Sequence, residues 1–455
     1  MRVTPLFAAL GLAALLFLPR PAESAERFSF IRDAEIEQTI RIWAAPLFQA
    51  AGLDASAVQI YLVNDRSLNA FVAGGQKLFI NTGLLMGSDS ADQVIGVIAH
   101  ETGHIAGGHL ARTQDALRDS SAQSILAFVL GAAAAVGTGR GDVGAAIIAG
   151  GQSVSARNFL QYSRTQESAA DNAALKYLDA TGQSAVGLMQ FMDKLADQEL
   201  LSSKRQDPYV RTHPLSRDRI ETIRAHVTQS RFSNVPDTPE NAQRHARMKA
   251  KLYAFLDPIS RTLKRYPEED TRIPARLARA VAFYRKPDLA AALPAIDGLI
   301  ADLPDDPFLH ELRGQMLFEN GRLPEALVSY RNAVRLMPQS GLLQRDLGRL
   351  LIELNDDSLL PESIEHLRAA VKADRRDSFS WRQLAIAFGR QGDMAASALA
   401  LAEEAMITGE YSNATYQAGK AESLLPRGSS AWLHAQDIRN AAEQAEKRAK
   451  RLNRN

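Results

Sequence analysis

The sequence predicts a mainly α-helical protein in which an α+β domain with a small β-sheet precedes an α-helical repeat solenoid. Two segments with strand character, 58–63 and 77–81, predict the sheet. The run that follows Ser90 is apolar nearly all round, which predicts a helix buried inside the same domain. Beyond residue 270, small residues recur with a 34-residue period, which predicts paired helices stacked as a solenoid.

Residues 1–25 are expected to be a cleaved secretory signal peptide. Arg2 precedes an apolar run of about 13 residues, Leu6 to Leu18, and small residues follow at Ala22 and Ser24. A membrane-spanning helix needs about 20 apolar residues, so an uncleaved anchor is the less favoured alternative. The chain has no cysteine, which excludes disulfide bonds.

The composition is that of an ordinary globular protein. With 46% hydrophobic residues and a net charge of +1, the chain has no electrostatic basis for binding nucleic acid, and we expect no such partner. The expected organisation is a signal peptide at 1–25, the α+β domain at 26–227, a linker and connecting helix at 228–270, repeats at 271–435, and a basic C-terminal helix or tail at 436–455.

A motif on the predicted buried helix, His100-Glu101-Thr102-Gly103-His104, has the spacing of a zinc site. Histidines four residues apart on a helix differ by about 40° of rotation, so both imidazoles leave the same face and can hold one metal ion. Glu101 lies one step round the helix, where its carboxylate can reach a water molecule beside the metal. Ser90 and Gln93 form a capping box at the start of this helix. One Zn²⁺ per chain is the expected cofactor.

A catalytic zinc ion usually has three protein ligands, so a third residue is needed. Glu167 and Asp171 share one face of a second predicted helix. We expect Glu167 to bind the metal and Asp171 to orient a ligating imidazole, whereas two solvated surface acids are the alternative. His109 is a weaker candidate, because on a continuing helix it would point about 140° away from His104. The simpler interpretation of His109 is a histidine at the helix end.

Four motifs, in this order along the chain, resemble those of a known family. They are Asn69-Ala70-Phe71, the His100 to His104 motif, Glu167-Ser-Ala-Ala-Asp171, and Thr212-His213-Pro214 with Arg219. Over roughly residues 55–225 the chain is similar to the zinc metallopeptidases that include HtpX and the CAAX prenyl endopeptidases. The resemblance implies a gluzincin-type α+β metallopeptidase domain. It favours the periplasmic members from Gram-negative bacteria that carry tetratricopeptide repeats.

Roles for the remaining motif residues follow from this resemblance. Glu101 is expected to be the catalytic base, and His213 and Arg219 are expected to donate hydrogen bonds to the oxyanion. A rival role for His213 is to occupy the open coordination position and keep the enzyme latent. Asn69-Ala70-Phe71 is expected to form an edge strand that pairs with the substrate backbone, with a simple hairpin turn as the alternative.

The repeat windows predict tetratricopeptide units, in which small residues stand where paired helices touch. Four windows carry such residues: Ala280 and Ala292; Gly314, Ala326 and Ala333; Gly348, Ser363 and Ala370; Ala385, Gly392 and Ser397. In the first two windows a proline, Pro304 or Pro338, follows the second helix. The third window has about three extra residues in its turn, and a degenerate unit ends near Pro426. A solenoid of this kind presents a surface to peptides or partner proteins, whereas a helical bundle is the alternative.

The Gly/Ala-rich stretch 124–149 contains two apolar halves, each too short to cross a bilayer as a helix. It is expected to be a hairpin that lies over the active-site cleft or makes peripheral contact with a membrane. A plain buried hairpin is an equally favoured alternative.

Two functions from different classes are consistent with these features. The first is a periplasmic zinc endopeptidase that acts on misfolded or misassembled envelope proteins, with repeats that recruit clients or the outer-membrane assembly machinery. The second is a chaperone or scaffold for outer-membrane protein assembly with a latent or silent zinc site. Glu101 favours the first, because a purely structural zinc site has no use for a base.

Overall fold

The computed structural model describes residues 29–109, 164–196 and 208–452. The expected signal peptide at 1–25 and the 124–149 stretch lie outside these ranges. Within them, no helix combines the length and the apolar character that crossing a membrane requires.

A four-stranded sheet lies in the N-terminal part of the chain, in the spatial order β1-β2-β4-β3. Its strands are β1 (Phe30–Ile31), β2 (Gln59–Val63), β3 (Ala70–Ala73) and β4 (Lys77–Asn81). β2 and β4 run parallel, and each outer strand is antiparallel to its neighbour. Both predicted strands are confirmed. The Asn69-Ala70-Phe71 segment leads into β3, which is an edge strand of the described sheet.

Seven helices surround the sheet within the described part of the chain. They are α1 (Ala34–Ala50), α2 (Thr82–Gly87), α3 (Ala91–Ala106), α4 (164–180), α5 (Val186–Leu195), α6 (Pro208–Thr212) and α7 (Arg217–Gln229). The core between helices and sheet is apolar, with Ile40, Leu47, Leu78, Ile98 and Leu188 among its fully buried residues.

α3 is the helix that the sequence predicts to be buried, and its residues 93–104 are all buried. Its predicted cap is present, because the Ser90 hydroxyl accepts a hydrogen bond from the N–H of Gln93. In a capping box the Gln93 side chain would accept from the N–H of Ser90. Here it accepts from the N–H of Asp89, one residue earlier. The motif histidines therefore lie on a rigid support.

Two glycines allow other helices to approach α3 closely. A Cβ atom at Gly103 would lie 2.7 Å from the backbone oxygen of Ala170 in α4. One at Gly96 would lie 2.7 Å from Cβ of Leu188 in α5. The helix that carries Glu167 and Asp171 therefore packs against the motif helix at a distance that only glycine permits at position 103.

Five helix pairs form the repeats in the described C-terminal part. The pairs are α10 (Ile273–Arg285) with α11 (Leu289–Asp302), α12 (Pro307–Glu319) with α13 (Leu323–Leu336), α14 (Gly341–Glu353) with α15 (Leu360–Ala373), α16 (Ser378–Gln391) with α17 (Met394–Thr408), and α18 (Tyr411–Leu424) with α19 (Ser430–Leu452). The 34-residue period is confirmed by the starts at 273, 307 and 341. The predicted extra residues form a 3₁₀ turn, Asp357–Leu359.

Small residues occupy the helix contacts in two of the windows as predicted. A Cβ atom at Gly314 would lie 2.8 Å from the ring of Tyr330, and one at Gly348 would lie 2.6 Å from Leu367. Gly392 has a different place, because it ends α16 in the left-handed conformation with φ 89°. The prediction that Gly392 lies at a contact between paired helices is therefore wrong.

The C-terminal boundary expected at 436 is not seen, because α19 runs continuously from Ser430 to Leu452. Ala435, Ile438 and Ala442 on this helix are buried against α17 and α18. The stretch expected to be a separate basic helix or tail is therefore the continuation of the last repeat helix. Its apolar residues recur at helical spacing among the basic ones. This spacing is the sequence pattern that could have predicted a packed helix.

α8 (Pro239–Leu256) lies in the segment expected to hold the linker and connecting helix, 228–270, and α9 (Ile259–Arg265) follows it. α8 is more than a connector. Met248 and Leu252 belong to the core around the sheet, whereas Ala250 and Ala254 belong to the core of the first repeats. Residues two apart on a helix face opposite sides, so one helix is part of both cores.

Buried ion pairs join α8 to the start of α1. Lys251 is 2% exposed, and its Nζ lies 2.8 Å from Asp33 and 3.4 Å from Glu35. Burial opposes the charge on Lys251, but the two carboxylates hold its pKa above the usual value. Arg247 bridges Glu35 to Asp306 in the α11–α12 connection. The sheet region and the repeats are thus connected by compensated charges as well as by α8.

We expect Lys251→Met to lower the free energy of unfolding by about 3 kcal/mol, because it leaves two buried carboxylates with less compensation. Chemical denaturation followed by circular dichroism measures this change. Lys264→Met, at an exposed position of α9, is the matched control and should change stability by less than about 0.5 kcal/mol. Equal stability of the two variants would contradict the role given to this cluster.

Candidate metal centre

Four side chains meet in the interior between α3, α4 and the end of α6. His100 and His104 come from α3, Glu167 comes from α4, and His213 follows α6 directly. One potential ligand atom from each lies within 4.8 Å of the others, and all four residues are buried. The structure therefore brings together the two motif histidines and the carboxylate chosen as third ligand.

The atoms that face the centre are the Nε2 atoms of the two motif histidines and the carboxylate of Glu167. The two Nε2 atoms are 3.1 Å apart. Glu167 Oε2 lies 3.4 Å from Nε2 of His100, and Oε1 lies 3.4 Å from Nε2 of His104. Two imidazole nitrogens and a carboxylate oxygen are a donor set that suits a divalent metal ion such as zinc.

His213 places its Nδ1 atom beside these donors. Nδ1 lies 3.3 Å from Oε2 of Glu167 and 3.4 Å from Nε2 of His100. Nε2 of the same ring lies 3.3 Å from the carbonyl oxygen of Ala70 in β3. Tyr209, which the sequence analysis did not single out, stacks on the ring at 4.6 Å. Its position four residues before His213, on the same helical turn, is the signal that could have identified it.

Glu101 is fully buried next to the four donors, and neither carboxylate oxygen has a hydrogen-bond partner among the described residues. Oε1 lies 3.4 Å from Nε2 of His213. Burial raises the pKa of Glu101 above its usual value, although the charges of the neighbouring histidines oppose the rise. An orphaned carboxylate at this place fits a centre that holds a metal ion and a water molecule.

Asp171 orients His100 from the side away from the centre. Oδ1 of Asp171 lies 2.8 Å from Nδ1 of His100, so Nδ1 can donate to the carboxylate while Nε2 faces the donors. A carboxylate on the distal nitrogen selects this tautomer and holds the ring plane. The structure thus brings Asp171 to one of the two motif imidazoles, where the sequence had left open which of them it would contact.

Arg219 contacts both buried carboxylates of α4. Its Nε and Nη2 atoms donate to Asp171 at 2.6 and 2.9 Å. Nη1 donates to the carbonyl of Pro214 at 2.7 Å and lies 3.1 Å from Glu167. The expected donation from Arg219 to the oxyanion stays a prediction. In the arrangement described, the guanidinium compensates two buried carboxylates, which need a nearby cation.

His109 is also part of the centre, in a role that sequence reasoning missed. Its Nδ1 lies 3.0 Å from Nδ1 of His104, the nitrogen that faces away from the donors. α3 ends at Ala106, and Gly108 has φ 61°, so the chain reverses and returns His109 to the helix. His109 is not among the donors, in agreement with the expectation that it is not a ligand. It contacts Nδ1 of His104, as Asp171 contacts Nδ1 of His100.

Charge pairing determines the protonation of the acidic and basic groups. Burial opposes ionisation of Glu167, but the surrounding histidines hold its pKa well below the usual value. Burial also opposes ionisation of Asp171, yet hydrogen bonds from His100 and Arg219 lower its pKa to about 2. Burial lowers the pKa of His104 to about 3. Ionised carboxylates and a neutral His104 are states that metal binding requires. Burial lowers the pKa of His100, but hydrogen bonds with Asp171 and Glu167 outweigh it and raise this pKa to about 10, so ligation by His100 would release a proton.

The edge strand β3 lies against the centre. Ala70 is fully buried, and its carbonyl oxygen faces His213. Thr212 Oγ1 lies 3.4 Å from Oδ1 of Asn69, so the segment before the strand also contacts the end of α6. The residues chosen as a substrate edge are thus adjacent to the donors, with Phe71 on the opposite face of the strand.

A buried HExxH helix, a carboxylate from a second helix and an adjacent edge strand define the class of the N-terminal part as a metallopeptidase. Residues 31–227 match the model of peptidase family M48, so the chain carries a peptidase M48 domain. Peptidases of this family depend on a metal ion.

Several similar proteins are named beta-barrel assembly-enhancing protease. The one from Yersinia pestis is 23% identical over 414 residues, which cover 88% of this chain and 82% of that protein. The Vibrio cholerae protein is 27% identical over 254 residues, 54% of this chain, so the chain spans about half (51%) of its length. The Escherichia coli metalloprotease LoiP is 29% identical over 168 residues, 36% of this chain and 60% of that protein.

Solved structures of repeat proteins also match part of the chain. A crystal structure of MamA is 17% identical, covers 38% of this chain and 96% of its own, and has a TM-score of 0.28. The tetratricopeptide-repeat protein YrrB is 18% identical, covers 43% of this chain and 98% of its own, and has a TM-score of 0.30.

We expect Asp171→Asn to weaken zinc binding by about 10- to 100-fold, because it replaces the charged acceptor of His100 by a neutral amide and removes one of the two carboxylates that face Arg219. Equilibrium competition with a chromophoric chelator measures the affinity. Asp218→Asn, an exposed change one residue before Arg219, is the control and should leave the affinity unchanged. Equal affinity of Asp171→Asn and wild type would show that Asp171 does not orient a ligand.

Proposed function

We propose that the protein is a periplasmic zinc endopeptidase that cleaves misfolded or misassembled envelope proteins, including those of the outer membrane. The observation that carries the proposal is the buried Glu101, which has no hydrogen-bond partner among the described residues and lies beside the four clustered donors. A base in that place has a use in hydrolysis and none in a purely structural metal site.

His100, His104 and Glu167 would hold the zinc ion, and Asp171 and His109 would position the two imidazoles. When bound, zinc supplies Lewis-acid activation of water and of the scissile carbonyl. Glu101 would take a proton from the attacking water and deliver it to the nitrogen of the leaving amine. The site would exclude other water, because these six residues are each less than one-tenth exposed.

His213 would make the enzyme latent in the arrangement described. Its Nδ1 stands with the donor atoms, where it can serve as a fourth ligand, and its Nε2 lies within hydrogen-bonding distance of the Ala70 carbonyl. Opening the site requires the ring to leave both positions. Once displaced, the same imidazole remains near enough to donate to the oxyanion of the tetrahedral intermediate.

A client strand would compete with His213 for β3. The carbonyl of Ala70 faces away from β4, so it is one of the groups that an added strand would use. Pairing of a client with this edge would take the hydrogen bond that holds His213. Binding of the client and opening of the metal site would thus be coupled.

The proposed clients and location rest on the relatives and on the expected signal peptide. Proteins from Vibrio, Yersinia and Escherichia carry the name beta-barrel assembly-enhancing protease, and all three genera are Gram-negative. The repeats would recruit clients or the outer-membrane assembly machinery. Large hydrophobic side chains are exposed on the last two pairs: Phe379, Ile386, Met394, Tyr416, Leu424 and Leu433. Exposed apolar side chains that recur on adjacent helices support a protein-binding role for this end.

A chaperone or scaffold with a silent zinc site is the second candidate. The observation that favours it is the fourth donor, His213, because structural zinc sites are closed by four protein ligands. Loss of Glu101 as a base would leave such a function intact. The two candidates therefore differ in their response to one substitution.

We expect Glu101→Gln to reduce cleavage of an unfolded outer-membrane protein at least about 100-fold while retaining one zinc ion per chain, because it removes the base but no ligand. Gel-based degradation and elemental analysis measure the two quantities. Glu221→Gln, an exposed change on α7, is the control. Equal cleavage by Glu101→Gln and wild type would exclude the peptidase proposal, and wild-type client binding without cleavage would favour the scaffold.

We expect His213→Ala, at saturating zinc, to bind a small hydroxamate about tenfold more tightly than wild type, if the open form is a tenth of the wild-type molecules. Competition with a fluorescent hydroxamate measures the affinity without turnover. His226→Ala, a half-buried histidine of α7, is the matched control. Unchanged affinity in His213→Ala would show that His213 does not occupy the open coordination position.

A further inference from the structure

The first helices of the repeat pairs share equivalent positions on one face. The starts of α10, α12, α14 and α16 at 273, 307, 341 and 378 set the register, so the positions of Leu277 and Val281 recur in each later helix. One row of equivalent residues is Leu277, Glu311, Arg345 and Arg382, and the next is Val281, Gln315, Arg349 and Ile386. We call these eight residues the paired rows.

The helix that joins the peptidase domain to the repeats covers the beginning of the paired rows. Leu277 and Val281 are fully buried in a core that they share with α8. One repeat further, the positive charge of Lys251 in α8 acts on Glu311. The rows thus have an occupant from the chain itself. It presents apolar residues to apolar positions and a cation to an anion.

The paired rows are open further along the solenoid. In α16, the side chain of Arg382 is 59% exposed and Ile386 is 41% exposed. Phe379, about one turn before Arg382, is 38% exposed. The surface therefore continues an internal interface beyond the end of its occupant, with apolar side chains that are still uncovered.

Arg349 lies where the covered part of the rows meets the open part. Its Cζ atom is 4.5 Å from the ring centre of Phe318 in α12 and 5.7 Å from that of Phe379 in α16. Rings at these distances attract the guanidinium and hold its position. Arg345 and Arg382 bind carboxylates of the chain. No carboxylate of the described residues forms an ion pair with Arg349, so its N–H groups can bind one from outside.

We propose that Arg349 binds the side-chain carboxylate of a client segment that continues along the paired rows, with apolar client residues against Phe379 and Ile386. The inference rests on the proposed recruitment of clients by the repeats and adds the class of segment, which is an acidic residue next to apolar ones. Arg349 has surface on both sides, towards α12 and towards α16. A residue inside a segment fits this place, because its chain continues in both directions.

A charge-swap experiment tests the pairing. Overlapping short peptides of an unfolded outer-membrane protein, amidated at the C-terminus, are screened for binding with Glu101→Gln in every variant to prevent turnover. We expect the tightest-binding peptides to contain an acidic residue next to apolar ones. Replacing that residue by glutamine should raise the Kd about fivefold, the upper end for an exposed ion pair, and lysine should raise it further. Fluorescence anisotropy measures the Kd.

Arg349→Glu should reverse this order, so that the lysine peptide binds most tightly. Arg368→Glu is the matched control, because Arg368 also lies over a phenylalanine ring, 5.2 Å from the centre of Phe388, but on α15, the second helix of its pair. It should keep the order in which the glutamate peptide binds most tightly. Circular dichroism verifies that both variants are folded.

Three results would overturn the inference. They are tight binding without preference for acidic residues, equal Kd values for the glutamate and glutamine peptides, and an unchanged order in Arg349→Glu. Failure of the proposed function gives a different result, because these Kd values are measured without turnover. The peptides would then keep the expected order, although wild type and Glu101→Gln do not differ in cleavage of the client.

Discussion

The close approach of α3 and α4 at Gly103 is the constraint on which the metal centre depends. The backbone oxygen of Ala170 occupies the space that any side chain at position 103 would need. Because the helices meet there, the face of α4 that carries two carboxylates comes within hydrogen-bonding distance of the imidazoles on α3. Gly103, one of the two variable positions of the HExxH motif, is therefore as important for the geometry of the centre as the ligands are.

Burying two carboxylates beside the histidines costs solvation free energy, and Arg219 offsets that cost. The guanidinium joins α7 to α4, and Asp171 continues the chain of contacts to His100 on α3. A second chain of contacts supports His104 through His109. The donor residues are therefore positioned by hydrogen bonds and ion pairs from Asp171, Arg219 and His109, which are not themselves among the four donors. The centre extends over several separate segments of sequence for this reason.

The parts of this arrangement that could be predicted are those that local periodicity determines. The spacing of the motif histidines, the buried character of α3 and the 34-residue repeat are properties of single helices or helix pairs. The place of His109 could not be predicted, because it depends on a chain reversal at Gly108. Arg219 was identified as part of the site, but its contacts with Asp171 and Glu167 were not predicted, since a motif does not tell which side chains of other helices lie against it.

α8 has a consequence for how this architecture can change in evolution. Its two faces complete two different cores, so dividing the chain before this helix leaves the core around the sheet incomplete, and dividing it after the helix leaves the core of the first repeats incomplete. Exchange of the repeats for another binding module by recombination would leave Ala250 and Ala254 without their neighbours, or Met248 and Leu252 without theirs. The peptidase and its repeats are therefore expected to be inherited together and to diverge by substitution and not by shuffling.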